Sequence, residues 1–198
     1  MNELLPLMTY SLLISISLIS IIGFNNTALF DQCKHYPYLE NKQKSFYRWF
    51  TCGFLHANWL HLFFNAFVLW QFGSVIEKIY KEMYGMMLGG ILFIVIYVLI
   101  LILSCIPTYI KFKNNPQYAS IGASGAISGI LFIYILYFPF NLLYLFGMIP
   151  VPAIVFGFLY LYYSWWASRN TNDHIDHDAH YYGAVMGLLF GVIIKYLL

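Results

Sequence analysis

The chain has 198 residues, of which 61% are hydrophobic, 21% aromatic and only 9% charged, against roughly 25% charged residues in a soluble domain, so water is not its main solvent. A net charge of +2 spread over several loops makes no basic patch and sets a nucleic-acid partner aside. Three scattered cysteines, Cys33, Cys52 and Cys105, show neither a disulfide framework nor a thiolate metal site. Apolar stretches of about 18 to 23 residues recur, each long enough to cross a hydrocarbon core of about 30 Å. The fold class expected is an all-α membrane protein with six transmembrane helices. Too few residues lie between the stretches for a separate soluble domain, so residues 1–198 read as a single membrane domain set in the lipid bilayer.

The first span is expected from Leu4 to Phe24. It has no basic flank and no small-x-small cleavage site after it, so it is expected to remain as a span. The loop from Asn25 to Gly53 mixes charge with aromatics and is expected to lie at the interface as short helices. In the second span, Phe54 to Ser74, His61 and Asn65 are four apart and share a helix face. His56 lies nine residues before Asn65, about 180° around a continuous helix, and is assigned a structural bond to a loop. The third span, Tyr84 to Cys105, is closed by Pro107, and residues 111–116 form a polar connector.

The fourth span, Ala123 to Pro139, opens inside Gly122-Ala123-Ser124-Gly125-Ala126-Ile127-Ser128-Gly129. Glycines on both sides of Ser124 allow a tight turn and a close approach to its hydroxyl, and the helix N-terminus offers unpaired N–H groups to an oxyanion. The same residues also read as a small-xxx-small packing face with serines satisfying backbone carbonyls. After a fifth span, Val151 to Ser168, the sixth runs from Ala179 to Leu197 and carries Gly183, Gly187 and Gly191 at intervals of four, a surface for close helix packing. His180 is rotated only about 20° from Gly187, so it emerges from the ladder's own face. Packing of that face on Gly125 and Gly129 would bring imidazole and hydroxyl together. Asp178 points about 200° away from His180, and Asp176 would align only if the helix began earlier, so a Ser-His dyad is expected.

These residues resemble the rhomboid family of intramembrane serine proteases over roughly Tyr47 to Leu197. His56, His61 and Asn65 resemble its second-helix motif, Gly122-Ala123-Ser124-Gly125 its nucleophile motif, and Ala179-His180 with Gly183 and Gly187 its histidine helix. Tyr47-Arg48-Trp49 and Gly73 with Glu77 resemble two further family elements. The resemblance implies a rhomboid-like six-helix bundle and a serine endopeptidase acting on transmembrane protein substrates, and the expected location is the bacterial inner (cell) membrane. It implies Ser124 as nucleophile, His180 as base, and His61, Asn65 and the Ser124 N–H as oxyanion donors. It also implies a gate made by the fifth helix and the loop before it, Phe140 to Pro150. Many members carry a tyrosine four residues after the serine, packed on the histidine, where this chain has Ser128; Tyr181 and Tyr182 are candidates to replace it. No cofactor is implied.

Two other readings stand beside this one. His174, His177 and His180 with Asp173, Asp176 and Asp178 form a ligand-rich stretch, but the His-Glu-x-x-His signature is absent and no metal is expected. A catalytically weak or inactive relative that binds membrane clients is the other reading, although serine and histidine are both present. Charge leaves orientation open. With cytoplasmic termini the inner loops hold Lys78, Lys81 and Lys195 against seven cations outside, and three against three once the long first loop is set aside.

Overall fold

The computed structural model describes residues 4–145, 147–171, 173 and 175–197. Helix α1 (Leu7–Phe24) buries Thr9, Leu12, Ile16, Ser20 and Gly23, a stripe at spacings of three and four that faces the bundle. The first loop folds into the expected short helices, α2 (Thr27–Cys33), α3 (Pro37–Gln43) and α4 (Arg48–Thr51). Asn26 caps α2 by accepting from Leu29 N.

Buried Glu40 organises this loop. Its carboxylate bonds His35 Nδ1 at 2.7 Å and accepts from Tyr36 N at 2.7 Å and Trp49 Nε1 at 2.8 Å. Burial alone would lower the His35 pKa, but the bond to Glu40 and the carboxylate charge raise it above its ordinary value. Arg48 Nη1 donates to the carbonyls of Asp31 and Lys34. His35 then exchanges two backbone hydrogen bonds with Ser120, so the loop holds the segment that leads into Ser124.

Helix α5 (Trp59–Val68), a π-helical turn (Leu69–Gly73) and α6 (Ser74–Tyr84) form one continuous rod. It differs from the expected Phe54 to Ser74 at both ends. Asn58 starts it late by accepting from His61 N at 2.9 Å. At the other end the charges do not stop it, because Glu77 and Lys81 are buried as an ion pair. Glu77 also accepts from Met8 N, Thr9 N and Thr9 Oγ1, satisfying the first turn of α1. Such a pair stands because each charge is matched and bonded; removing one partner costs about 3–5 kcal/mol.

Helix α7 (Met86–Phe112) passes through Pro107, where the sequence reading closes the span. Proline loses one helix hydrogen bond, but contacts beyond it hold the extra turns. Tyr109 packs edge-on against Phe46 and Trp49, and Lys111 Nζ reaches Ser168 O and Asp178 Oδ2. Helix α8 (Ser124–Tyr137) is buried from Gly125 to Ile133 without a break, the signature of a helix enclosed on all sides. It contacts α5, α6, α7 and the two last helices. Strands β1 (Leu142–Leu145) and β2 (Ile149–Pro152) form an antiparallel hairpin, followed by α9 (Ala153–Asn170) and α10 (His177–Tyr196). Asp176 starts α10 two residues earlier than expected by accepting from Ala179 N at 2.9 Å.

Among the described residues three helices are long and apolar enough to cross a membrane: Leu7–Phe24, Trp59–Tyr84 and Met86–Phe112. The glycine faces meet as their spacing predicts. A Cβ on Gly183 would collide with Gly125 O, and one on Gly187 with the backbone of Gly129. Helices α8 and α10 therefore touch backbone to backbone, a packing that only glycine permits.

Candidate active site

Ser124 is the first residue of α8 and His180 lies in the first turn of α10, so the close packing of the two helices brings both side chains to the same end. His180 Nε2 lies 2.7 Å from Ser124 Oγ. The hydroxyl is the donor there when that nitrogen is unprotonated. A cavity of about 740 Å³ opens onto both, lined also by His61, Asn65, Asn58, Ile121 and Asp176.

His61 and Asn65 project into it from one face of α5. His61 Nδ1 accepts from Ala57 N at 3.3 Å, which in the neutral ring leaves the proton on Nε2 and makes that atom a donor. This Nε2 faces Gly122. A Cβ there would sit 2.9 Å from it and 3.6 Å from Ser124 Oγ, and the Gly122 φ is +124°, so both space and backbone require glycine. Asn65 Nδ2 spends one hydrogen on His61 O at 2.9 Å and keeps a second for a ligand.

His56 corrects the sequence reading. Its Nδ1 bonds Ser20 Oγ on α1 at 2.8 Å, a helix and not a loop. Because α5 begins only at Trp59, the rotation argument for a continuous helix does not apply. The His56 ring instead stands edge-on to His61, centroids 4.9 Å apart, and supports it from behind.

No described carboxylate bonds the His180 ring. Asp176 accepts from Thr108 Oγ1 at 2.7 Å, Ser120 Oγ at 2.8 Å and Ala179 N, so although the helix begins early enough, its oxygens are engaged elsewhere. Asp178 pairs with Lys111 at 2.7 Å. Asp173 pairs with His177 Nε2 at 3.1 Å. Slight desolvation of the exposed Asp173 disfavours its charge, but the bonds from His177 and Ile175 N outweigh this and hold its pKa below its ordinary value. Among the described residues no three histidine, cysteine, aspartate or glutamate side chains are grouped so as to hold a metal ion, and His174 lies outside the described residues. Cys52 and Cys105, scattered in sequence, come to 3.9 Å between sulfurs in the core, a proximity that spacing could not reveal.

The gate expected from Phe140 to Pro150 is also corrected. That segment follows the far end of α8, about 20 Å from Ser124 at 1.5 Å per residue, and its described residues contribute to the paired strands β1 and β2. The cavity is bordered instead by Asp173, Ile175 and Asp176, which follow α9. Tyr181 and Tyr182 pair with one another, centroids 5.2 Å apart. The aromatic ring beside His180 from another helix is Tyr160 of α9, with centroids 6.4 Å apart and a tilt of 31°. A tyrosine among many in the fifth apolar segment carried no sequence signal for this role.

The family model for the rhomboid domain matches residues 43–197. The chain belongs to the rhomboid family. No curated relative matches the chain. The rhomboid match takes in α4 to α10 with Ser124, His180, His61 and Asn65, and leaves before it α1, α2 and all but the last residue of α3, with Phe30 and Lys34 of the cavity lining. Family and apolar helices together make this an integral membrane protein.

Proposed function

We propose that this rhomboid protein is an intramembrane serine endopeptidase that cuts transmembrane segments, with Ser124 as nucleophile and His180 as general base. The observation that carries the reading is the 2.7 Å contact from Ser124 Oγ to His180 Nε2 in the lining of a cavity. In this reading Ser124 Oγ attacks the scissile carbonyl while its proton passes to His180 Nε2. The oxyanion is met by the Ser124 N–H at the start of α8, His61 Nε2–H and Asn65 Nδ2–H. The imidazolium then protonates the leaving amine, and water repeats the sequence on the acyl-enzyme. Serine, histidine and water suffice, so the reading needs no cofactor. His56, Gly122, Gly125, Gly183 and Gly187 support the site without touching substrate.

The reading treats residues 1–198 as one membrane domain with six crossings. Helix α8 has 14 residues, about 21 Å, less than a hydrocarbon core of about 30 Å. In a crossing this short Ser124 lies below the surface and the cavity supplies its water. With the cavity opening to the outer face, as the family resemblance implies, both termini are cytoplasmic and the membrane is the bacterial inner (cell) membrane. A cysteine added at the C-terminus should stay unlabelled by an impermeant reagent in intact cells, and labelling there would reverse the topology.

A serine-directed fluorophosphonate probe in detergent tests the function without a known substrate. An ordinary serine hydroxyl does not attack it at neutral pH; attack needs a base for the proton and donors for the oxyanion. Labelling should vanish in Ser124→Ala, fall sharply in His180→Ala, drop on the order of 10- to 1000-fold in Asn65→Ala, and survive chelators. An unlabelled but chelator-sensitive protein would point to metal chemistry, and one inert to both to a client-binding relative without catalysis.

A further inference from the structure

No described carboxylate bonds the His180 ring, yet a base 2.7 Å from its nucleophile must be held in one ring orientation to be useful. The groups facing its ring are His177, edge-on with centroids 5.9 Å apart, and Tyr160, more nearly parallel at 6.4 Å. Tyr160 is itself fixed at both ends. Its ring lies 5.6 Å from Phe132 and 5.8 Å from Phe156. Its hydroxyl lies 2.5 Å from Ser128 Oγ, and Ser128 Oγ donates to Ser124 O at 2.7 Å. Because Ser128 has one hydroxyl hydrogen and gives it to that carbonyl, the Tyr160 hydroxyl is the donor in their shared bond. A chain of contacts therefore runs from α9 to both members of the dyad, through the ring to His180 and through Ser128 to the first turn of α8.

We propose that Tyr160 is a positioning residue for His180, and that its bond to Ser128 makes the seating of α9 against α8 a condition for the working geometry of the dyad. The proposal rests on the protease reading above. Helix α9 is the element best placed to couple in this way. It meets α8 through Gly157, where a Cβ would lie 3.3 Å from Ile135, while Phe158, Leu159 and Tyr162 are exposed. Displacement of α9 would withdraw the ring from His180 and break the hydroxyl bond in one movement, leaving serine and histidine present but unaligned.

The test compares Tyr160→Leu, which removes the ring and hydroxyl, with Tyr160→Phe, which keeps the ring. Maximal fluorophosphonate labelling rate should fall on the order of 10- to 100-fold in Tyr160→Leu with the probe concentration for half-maximal rate unchanged, and less than about 10-fold in Tyr160→Phe. A second readout needs no chemistry. The ring Cε1–H resonance of His180 in isotope-labelled protein, assigned with His180→Ala, should move in Tyr160→Leu and stay close to the parent position in Tyr160→Phe. Labelling of Tyr160→Leu within about twofold of the parent, or an unmoved His180 resonance, overturns the proposal. An unlabelled parent protein would defeat the protease reading instead, and the resonance would still decide whether Tyr160 sets the environment of the imidazole.

Discussion

Ser124→Ala and His180→Ala each abolish cleavage of a single-span membrane substrate in proteoliposomes, while the purified variants keep parental helicity and run as one species. The physical basis is that each substitution removes one atom of a two-atom relay. Without Oγ there is no nucleophile, and without Nε2 there is no acceptor 2.7 Å away for its proton. In serine hydrolases losses of this kind run to about 10⁴-fold or more in kcat, and the members of such a unit are not additive. The double variant should therefore be no worse than either single one. The fold should tolerate both changes. The start of α10 is held by Asp176 and not by the imidazole, and α8 is anchored by buried residues from Gly125 onward. Substrate band shift, circular dichroism and size exclusion read the three quantities. Substantial cleavage by either variant, or cleavage lost only together with helicity, would remove the assignment.

Gly187→Val gives the second large effect with both dyad residues intact. A Cβ at Gly187 would lie 2.5 Å from Gly129 Cα and 2.6 Å from its carbonyl carbon, distances that real contacts do not reach. The obstacle is backbone of a fully enclosed helix, which has no rotamer to change, so α8 and α10 must separate by about an ångström or more. Overpacking of this kind costs about 1–3 kcal/mol in stability. Ser124 and His180 belong to these same two helices, and a shift of about 1 Å in reacting geometry can cost on the order of 100-fold in rate. Gly191→Ala is the control, because a Cβ there meets the tip of Leu136 at 2.9 Å, a side chain able to turn away. Cleavage and fluorophosphonate rates should fall steeply in the first variant and little in the second. Wild-type rates in Gly187→Val would mean that the helices do not meet at that position.

The sequence by itself determined what depends on spacing along one element. Composition and run length placed the chain in a membrane, the interval of four put His61 and Asn65 on one face, and the glycine ladder set His180 on the face that meets Gly125 and Gly129. Glycine periodicity is informative because a stripe without side chains lets another backbone come close, as Gly125 and Gly129 do at Gly183 and Gly187, so face and partner are specified together. Only the tertiary structure decided what depends on which distant side chain fills a space. It engaged Asp176 with Thr108 and Ser120 instead of His180, sent His56 to Ser20, and buried Glu77 with Lys81 so that the second rod outran its apolar stretch. It also put the hairpin of residues 142–152 at the end of α8 away from Ser124, and brought Tyr160 to the ring of His180. Polar and aromatic side chains have several satisfactory partners within reach of a helix surface, and periodicity names the face but not the partner; the choice follows from how the helices are laid against one another.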